Sequence, residues 1–181
     1  MQPIDNYLSL VMRMTSVSFC KEVEGFFLLK RPKSTPSQTS IPVQISFDTV
    51  LDTLNFEPFA TEWLIAAVKK RQGNPYADRV SIGRATNCDI VVRAHFISKV
   101  QAHILCGPNG EYSLRVLSSA SATLLNGRRI DPNLPCRLAV GDLIAFGSMT
   151  FEFVDAGRLH EVLTTEALHR NSEKSQRPPS A

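Results

Sequence analysis

From Trp63 onward, short runs rich in Val, Ile and Phe alternate with turn residues, and helical periodicity disappears. The runs are WLIAAVKK, RVSIG, CDIVV, AHILCG, EYSLRVL, ATLLN, CRLAV, DLIAFG and MTFEFV. Between them lie QGNPYAD, CGPNG, LNG, DPNLP, AVGD and FGS. β-branched and aromatic residues fit a half-buried pleated surface, and many short strands with closely spaced turns predict an all-β sandwich or barrel. Asn109-Gly110 and Asn126-Gly127 are tight-turn signals, because both residue types tolerate positive φ. The sandwich is expected from about Trp63 to Val154.

The flanks have a different texture. Ile4, Tyr7, Leu8, Val11 and Met14 follow helical spacing, so residues 4–14 read as a short amphipathic helix. Phe26–Leu29 reads as either a strand or a packed segment. Residues 31–42, RPKSTPSQTSIP, form a Pro/Ser/Thr linker without core-forming content. Residues 43–60 are ambiguous, with Asp48 a candidate cap for a turn burying Val50, Leu51 and Leu54. After Asp155, Leu159, Val162, Leu163 and Leu168 predict a short helix against the sandwich, followed by the polar tail NSEKSQRPPSA. The expected organisation is therefore an extension over 1–61, a β domain over 62–156, and a short helix with a disordered tail over 157–181. The helix, Phe26 and Phe27 are too few for an independent core and too apolar for water, so residues 1–30 are expected to pack on the sandwich.

Charge narrows the function. The net charge is +3 in a chain of 181 residues. Residues 61–156 hold eleven Lys/Arg against eight Asp/Glu, whereas residues 1–60 hold five against six. Mild basicity in the β segment suits a small anionic ligand better than a polyanion. Lys69-Lys70-Arg71 and Arg128-Arg129 are isolated clusters, not the dense basic and aromatic interleaving of a nucleic-acid surface. No apolar run approaches the roughly 18 residues of a membrane span, and the start has no secretory signal pattern. Cys20, Cys88, Cys106 and Cys136 lie too far apart for zinc spacing and read as reduced structural thiols, which points to a cytoplasm. No nucleophile elbow, catalytic carboxylate pair or P-loop is present, so neither catalysis nor a cofactor is expected.

Three motifs and a turn stand in order on the β background. They are Ile82-Gly83-Arg84, Ser98-Lys99-Val100-Gln101-Ala102-His103-Ile104, Thr123-Leu124-Leu125-Asn126-Gly127, and Gly141-Asp142-Leu143-Ile144-Ala145-Phe146-Gly147. This pattern resembles the forkhead-associated (FHA) domain family over roughly residues 62–155. Family members show a Gly-Arg, a Ser-basic-x-His about fourteen residues later, an Asn-Gly, then a Gly-Asp turn. The resemblance implies an FHA-type β-sandwich whose loops bind phosphothreonine. Small members with comparable extensions resemble bacterial proteins.

By resemblance, peptide-binding roles fall on Arg84, Ser98, Lys99, Ser121, Thr123 and Asn126, with Thr123 and Asn126 bracing a loop. Gly83, Gln101, Gly127, Gly141 and Asp142 carry motif structure. The residue chemistry agrees. A phosphothreonine brings nearly two negative charges and three acceptor oxygens. Arg84 offers a guanidinium at a strand end, Ser98 a hydroxyl and Lys99 a mobile cation. Bland readings stand beside these: Arg84 paired with Asp89, Ser98 closing a turn, Lys99 merely solvated, Asn126 a turn residue.

Two positions depart from the family pattern. Gln101 replaces the motif histidine, whose work is mainly to brace loops; an amide also donates and accepts. Where many members place a Thr/Ser-Asn pair, this chain has Ala120-Ser121, one without a hydroxyl and one shorter than asparagine. The expectation is a non-enzymatic module for a phosphothreonine-containing protein, the product of a Ser/Thr kinase. The alternative is a phosphate-independent interaction module on the same sandwich.

Overall fold

The computed structural model describes residues 2–32, 62–118, 122–132 and 134–175. Two sheets face each other. The elements, in chain order, are β1 Gln2–Pro3, α1 Asp5–Val11, α2 Ser16–Glu22, β2 Phe26–Lys30, β3 Leu64–Ala67, β4 Arg79–Gly83, β5 Ile90–Val91 and β6 Ala102–Cys106. There follow β7 Tyr112–Val116, β8 Thr123–Leu125, β9 Arg128–Arg129, β10 Cys136–Leu138, β11 Leu143–Phe146, β12 Met149–Asp155 and α3 Ala156–Ser175. One sheet runs β1-β3-β2-β12-β11-β8-β9 and the other β10-β7-β6-β4-β5. Each of the nine β-type runs read from the sequence contributes a strand.

Alternation explains the inner core. Along β6, Ala102 and Ile104 are buried, and along β7 Leu114 and Val116 are. They meet Ile82, Phe146, Phe151 and Phe153 between the sheets. An aromatic trio crosses the gap: Phe26 stacks on Phe153 at 5.1 Å between centroids, and Tyr112 of the facing sheet lies 4.5 Å from Phe26. Offset and tilted rings at such distances add to the area they bury.

Phe26–Lys30 belongs to the sandwich itself. β2 pairs antiparallel with β12 on one side and β3 on the other. Its uninterrupted apolar run means burial on both faces. Leu28 points into the inner core with Phe153 and Ala66. Phe27 and Leu29 point outward, into a second core with Ile65, Val154, Ile4, Val11, Phe19, Leu159, Val162 and Leu163. The three helices among the described residues form a layer that covers this outer face. The sheet is thus wider than the span from Trp63 to Val154.

Three helical features differ from expectation. The N-terminal helix ends at Val11, and a second helix follows, with Thr15 Oγ1 accepting from Ser18 N at 3.3 Å. α2 carries no apolar stripe: Phe19 is its buried residue and Val17 is exposed. α3 is twenty residues long and includes residues 171–175, where the polar sequence predicts a tail. Ala167, one turn beyond Leu163, takes the buried position, and Leu168 is 63% exposed. Arg170 extends the contact by bonding Glu166 at 2.6 Å and Asp5 at 2.9 Å. The linker beyond Pro32, the Asp48 turn with Val50, Leu51 and Leu54, and residues 176–181 lie outside the described residues.

Candidate phosphopeptide-binding loops

β4 ends at Gly83, and the loop after it lies directly on the loop before β6. A Cβ at position 83 would overlap the Lys99 carbonyl oxygen and stand 2.8 Å from the Lys99 carbonyl carbon and 2.9 Å from Val100 Cα. These are backbone atoms and cannot swing aside, so the residue before Arg84 has to be glycine. The close approach is used for backbone bonds. Arg84 N–H donates to Ser98 O at 3.0 Å, Ala85 N–H to Lys99 O at 3.1 Å, and Gln101 N–H to Ile82 O at 2.8 Å. Arg84 and Ser98 are thereby fixed side by side.

Arg84 and Lys99 are exposed. Among the described residues, no hydrogen bond or ion pair engages either cationic head group. The bland pairing of Arg84 with Asp89 is not made, because Asp89 is occupied elsewhere. Its fully buried side chain accepts from Ser81 N–H, Ser81 Oγ and Asn74 Nδ2 at 2.7 Å each, and from Arg71 N–H at 2.8 Å. Burial pulls the Asp89 carboxyl upward, and these donors outweigh it, leaving the group below the usual aspartate value. Arg71 Nη1 also donates to Thr86 O at 2.7 Å and Cys88 O at 3.1 Å. The loop that carries Arg84 is held from behind.

Gln101 is fully buried and ties three segments together. Its Oε1 accepts from Ser98 N–H at 3.1 Å, and its Nε2 donates to Thr123 Oγ1 at 3.1 Å and to Ser118 O at 3.4 Å. Thr123 is buried, so it braces the site from within and does not present its hydroxyl to a peptide. Ser118, which belongs to none of the sequence motifs, stands 2.7 Å from Ser98, oxygen to oxygen. Ser121 lies outside the described residues.

The remaining motif residues are at the other end of β8. Thr123 pairs with Phe146 and Leu125 with Ile144, so Asn126 lies three extended residues, roughly 10 Å, from Thr123. Asn126 and Gly127 have φ of 51° and 78°, as a tight hairpin turn requires. Asn126 Nδ2 donates to Asp142 Oδ1 at 2.8 Å, and Asn126 Oδ1 accepts from Leu143 N–H at 2.9 Å. Asp142 Oδ2 accepts from Ala139 N–H at 2.8 Å, closing the turn that Gly141, φ 94°, makes possible. Gly127, Gly141 and Asp142 thus build turns, and Asn126 is part of the same turn network.

The FHA domain family model matches residues 80–147, the span from β4 through β11 and the turn after it. This segment is an FHA domain. The matched FHA segment contains both clamped loops and the Asn-Gly and Gly-Asp turns. Human kanadaptin is 34% identical over 85 residues, which are 41% of this chain and 12% of kanadaptin. Among solved structures, Mycobacterium tuberculosis EmbR in complex with a low-affinity phosphopeptide is 28% identical, covering 44% of this chain and 20% of that one, with a TM-score of 0.39. An FHA domain from Chlamydia trachomatis is 19% identical over 72% of this chain and 98% of its own, with a TM-score of 0.47. The chain therefore spans a small part of kanadaptin and EmbR. Kanadaptin is a human protein, so the bacterial origin expected from the sequence is not shown.

No helix among the described residues is long and apolar enough to cross a membrane. No group of three or more potential metal ligands occurs among them.

Proposed function

We propose that the chain is a phosphothreonine-dependent protein-binding module that does no chemistry on its ligand. The observation that carries this reading is the clamp between the Arg84 and Ser98 loops. The Arg84 guanidinium, without a partner among the described residues, and the Ser98 hydroxyl stand on adjoining loops tied by backbone, at 3.0 Å between Arg84 N and Ser98 O. Such a pair suits a phosphate, since charge-assisted hydrogen bonds need donors fixed in advance. Lys99 adds a mobile cation. Gln101 and Thr123 keep the loops in register beneath. The partner on this reading is a protein phosphorylated by a Ser/Thr kinase. We place the meeting in the cytoplasm, in keeping with four cysteines that form no disulfide.

Calorimetry with matched phosphorylated and unphosphorylated peptides tests the proposal. Arg84→Ala is expected to remove most of the binding. Ser98→Ala should cost about 1.5–3 kcal/mol, the range for a hydrogen bond to a charged group. Lys99→Ala should cost less, and its effect should shrink as salt rises. Equal binding of both peptides, unchanged by Arg84→Ala, would overturn the reading in favour of a phosphate-independent module.

A further inference from the structure

We infer that Ser118 is a positioning residue for the phosphate donor Ser98, an inference that rests on the phosphothreonine reading above. The two hydroxyl oxygens are 2.7 Å apart, so they share one hydrogen bond in which either is the donor. The two arrangements differ at the open side. When Ser98 donates to Ser118, Ser98 turns only lone pairs outward, and these repel an oxyanion. When Ser118 donates to Ser98, the Ser98 proton is free to point at the ligand. A phosphate selects the second arrangement. A hydroxyl that accepts a hydrogen bond is also polarised into a better donor.

The pair is held in place by a closed ring. Ser98 N–H donates to Gln101 Oε1 at 3.1 Å, Gln101 Nε2 donates to Ser118 O at 3.4 Å, and the two serine hydroxyls complete the circuit. Ser98 O in turn accepts from Arg84 N–H at 3.0 Å. Ser118 and Ser98 are both half-buried, so water competes less for the shared bond than at an open surface. Ser118 is thus connected to the guanidinium-bearing loop through Ser98.

A double-mutant cycle decides the matter. The probe is the tightest peptide that the full chain selects from a library randomised around a fixed phosphothreonine, with its unphosphorylated counterpart as control. Ser118→Ala should weaken phosphopeptide binding about five- to tenfold, the effect of one charge-assisted hydrogen bond made less favourable. Ser118→Thr, which keeps the hydroxyl, should stay within about twofold of the parent chain. In a Ser98→Ala background, Ser118→Ala should change binding less than about twofold, because the group it serves is gone. An additive loss in that background would overturn the inference, since Ser118 would then act independently of Ser98. So would equal losses on both peptides, the mark of a general structural effect. If Arg84→Ala and Ser98→Ala lose binding while Ser118→Ala does not, the inference alone falls. If no phosphopeptide is selected, or if those two variants bind like the parent chain, the phosphothreonine reading falls and takes the inference with it.

Discussion

Gly83 and Gln101 do different work at the same place. Glycine at 83 lets two backbones touch, and glutamine at 101 keeps them aligned. Gly83→Ala would push a methyl group into the Lys99 carbonyl. Overpacking against rigid backbone costs about 1–3 kcal/mol, to be read from equilibrium urea denaturation, and the separated loops should also lose phosphopeptide affinity. Gln101→Leu would leave Ser98 N–H and the Thr123 hydroxyl without the amide that serves them. Two such orphaned groups cost about 2–6 kcal/mol together, measurable in the same experiment. Gln101→His should lose less, because an imidazole keeps one donor and one acceptor. The motifs that carry Arg84, Ser98 and Gln101 were readable because each is local in sequence. Ser118 was not, because its meeting with Ser98 bridges twenty residues and involves a serine like any other.

At the level of the elements, β12 and α3 are joined through one carboxylate. Glu152 is nearly buried, and it accepts from Arg31 at 2.7 Å and from Arg158 at 3.0 Å. Burial pushes its carboxyl upward, but the two guanidinium bonds outweigh this and hold it below the ordinary glutamate value. A carboxylate depressed on folding contributes stability above its unfolded value of about 4.3, and that contribution disappears as pH falls through the lower folded value. Glu152→Gln should therefore destabilise the chain at pH 7, by about 1–2 kcal/mol given the half-exposed arginines. The gap between variant and parent should close as thermal melts are repeated towards pH 3. A gap that stays constant with pH would remove the ion pair from the account. The strands around Glu152 were legible wherever polar and apolar residues alternate. β2 was not, because a continuous apolar run reads the same whether it is a strand or a packed segment. α2 left no signal, since one buried phenylalanine makes no stripe.

In the whole molecule, the N-terminal residues are structural members of the sandwich, with β2 in the middle of the larger sheet. Deleting residues 1–30 would leave β3 and β12 facing an empty lane and strip the outer core of Phe27 and Leu29. The expected result is loss of a cooperative thermal transition and poor solubility, checked by circular dichroism and light scattering. A truncated chain that melts like the parent would show that β2 is dispensable. The same arrangement sets a timetable for the newborn chain. Arg31, next to β2, finds Glu152 only after a separation of 121 residues. At roughly 5–20 residues per second, ribosomes take on the order of 6–25 s to cover that distance. For that interval Phe26–Lys30 waits without the neighbour that finally closes its edge, an apolar strand open to other nascent chains. Expression yield should therefore respond to chaperone supply and to translation speed more steeply than the stability of the finished fold would suggest.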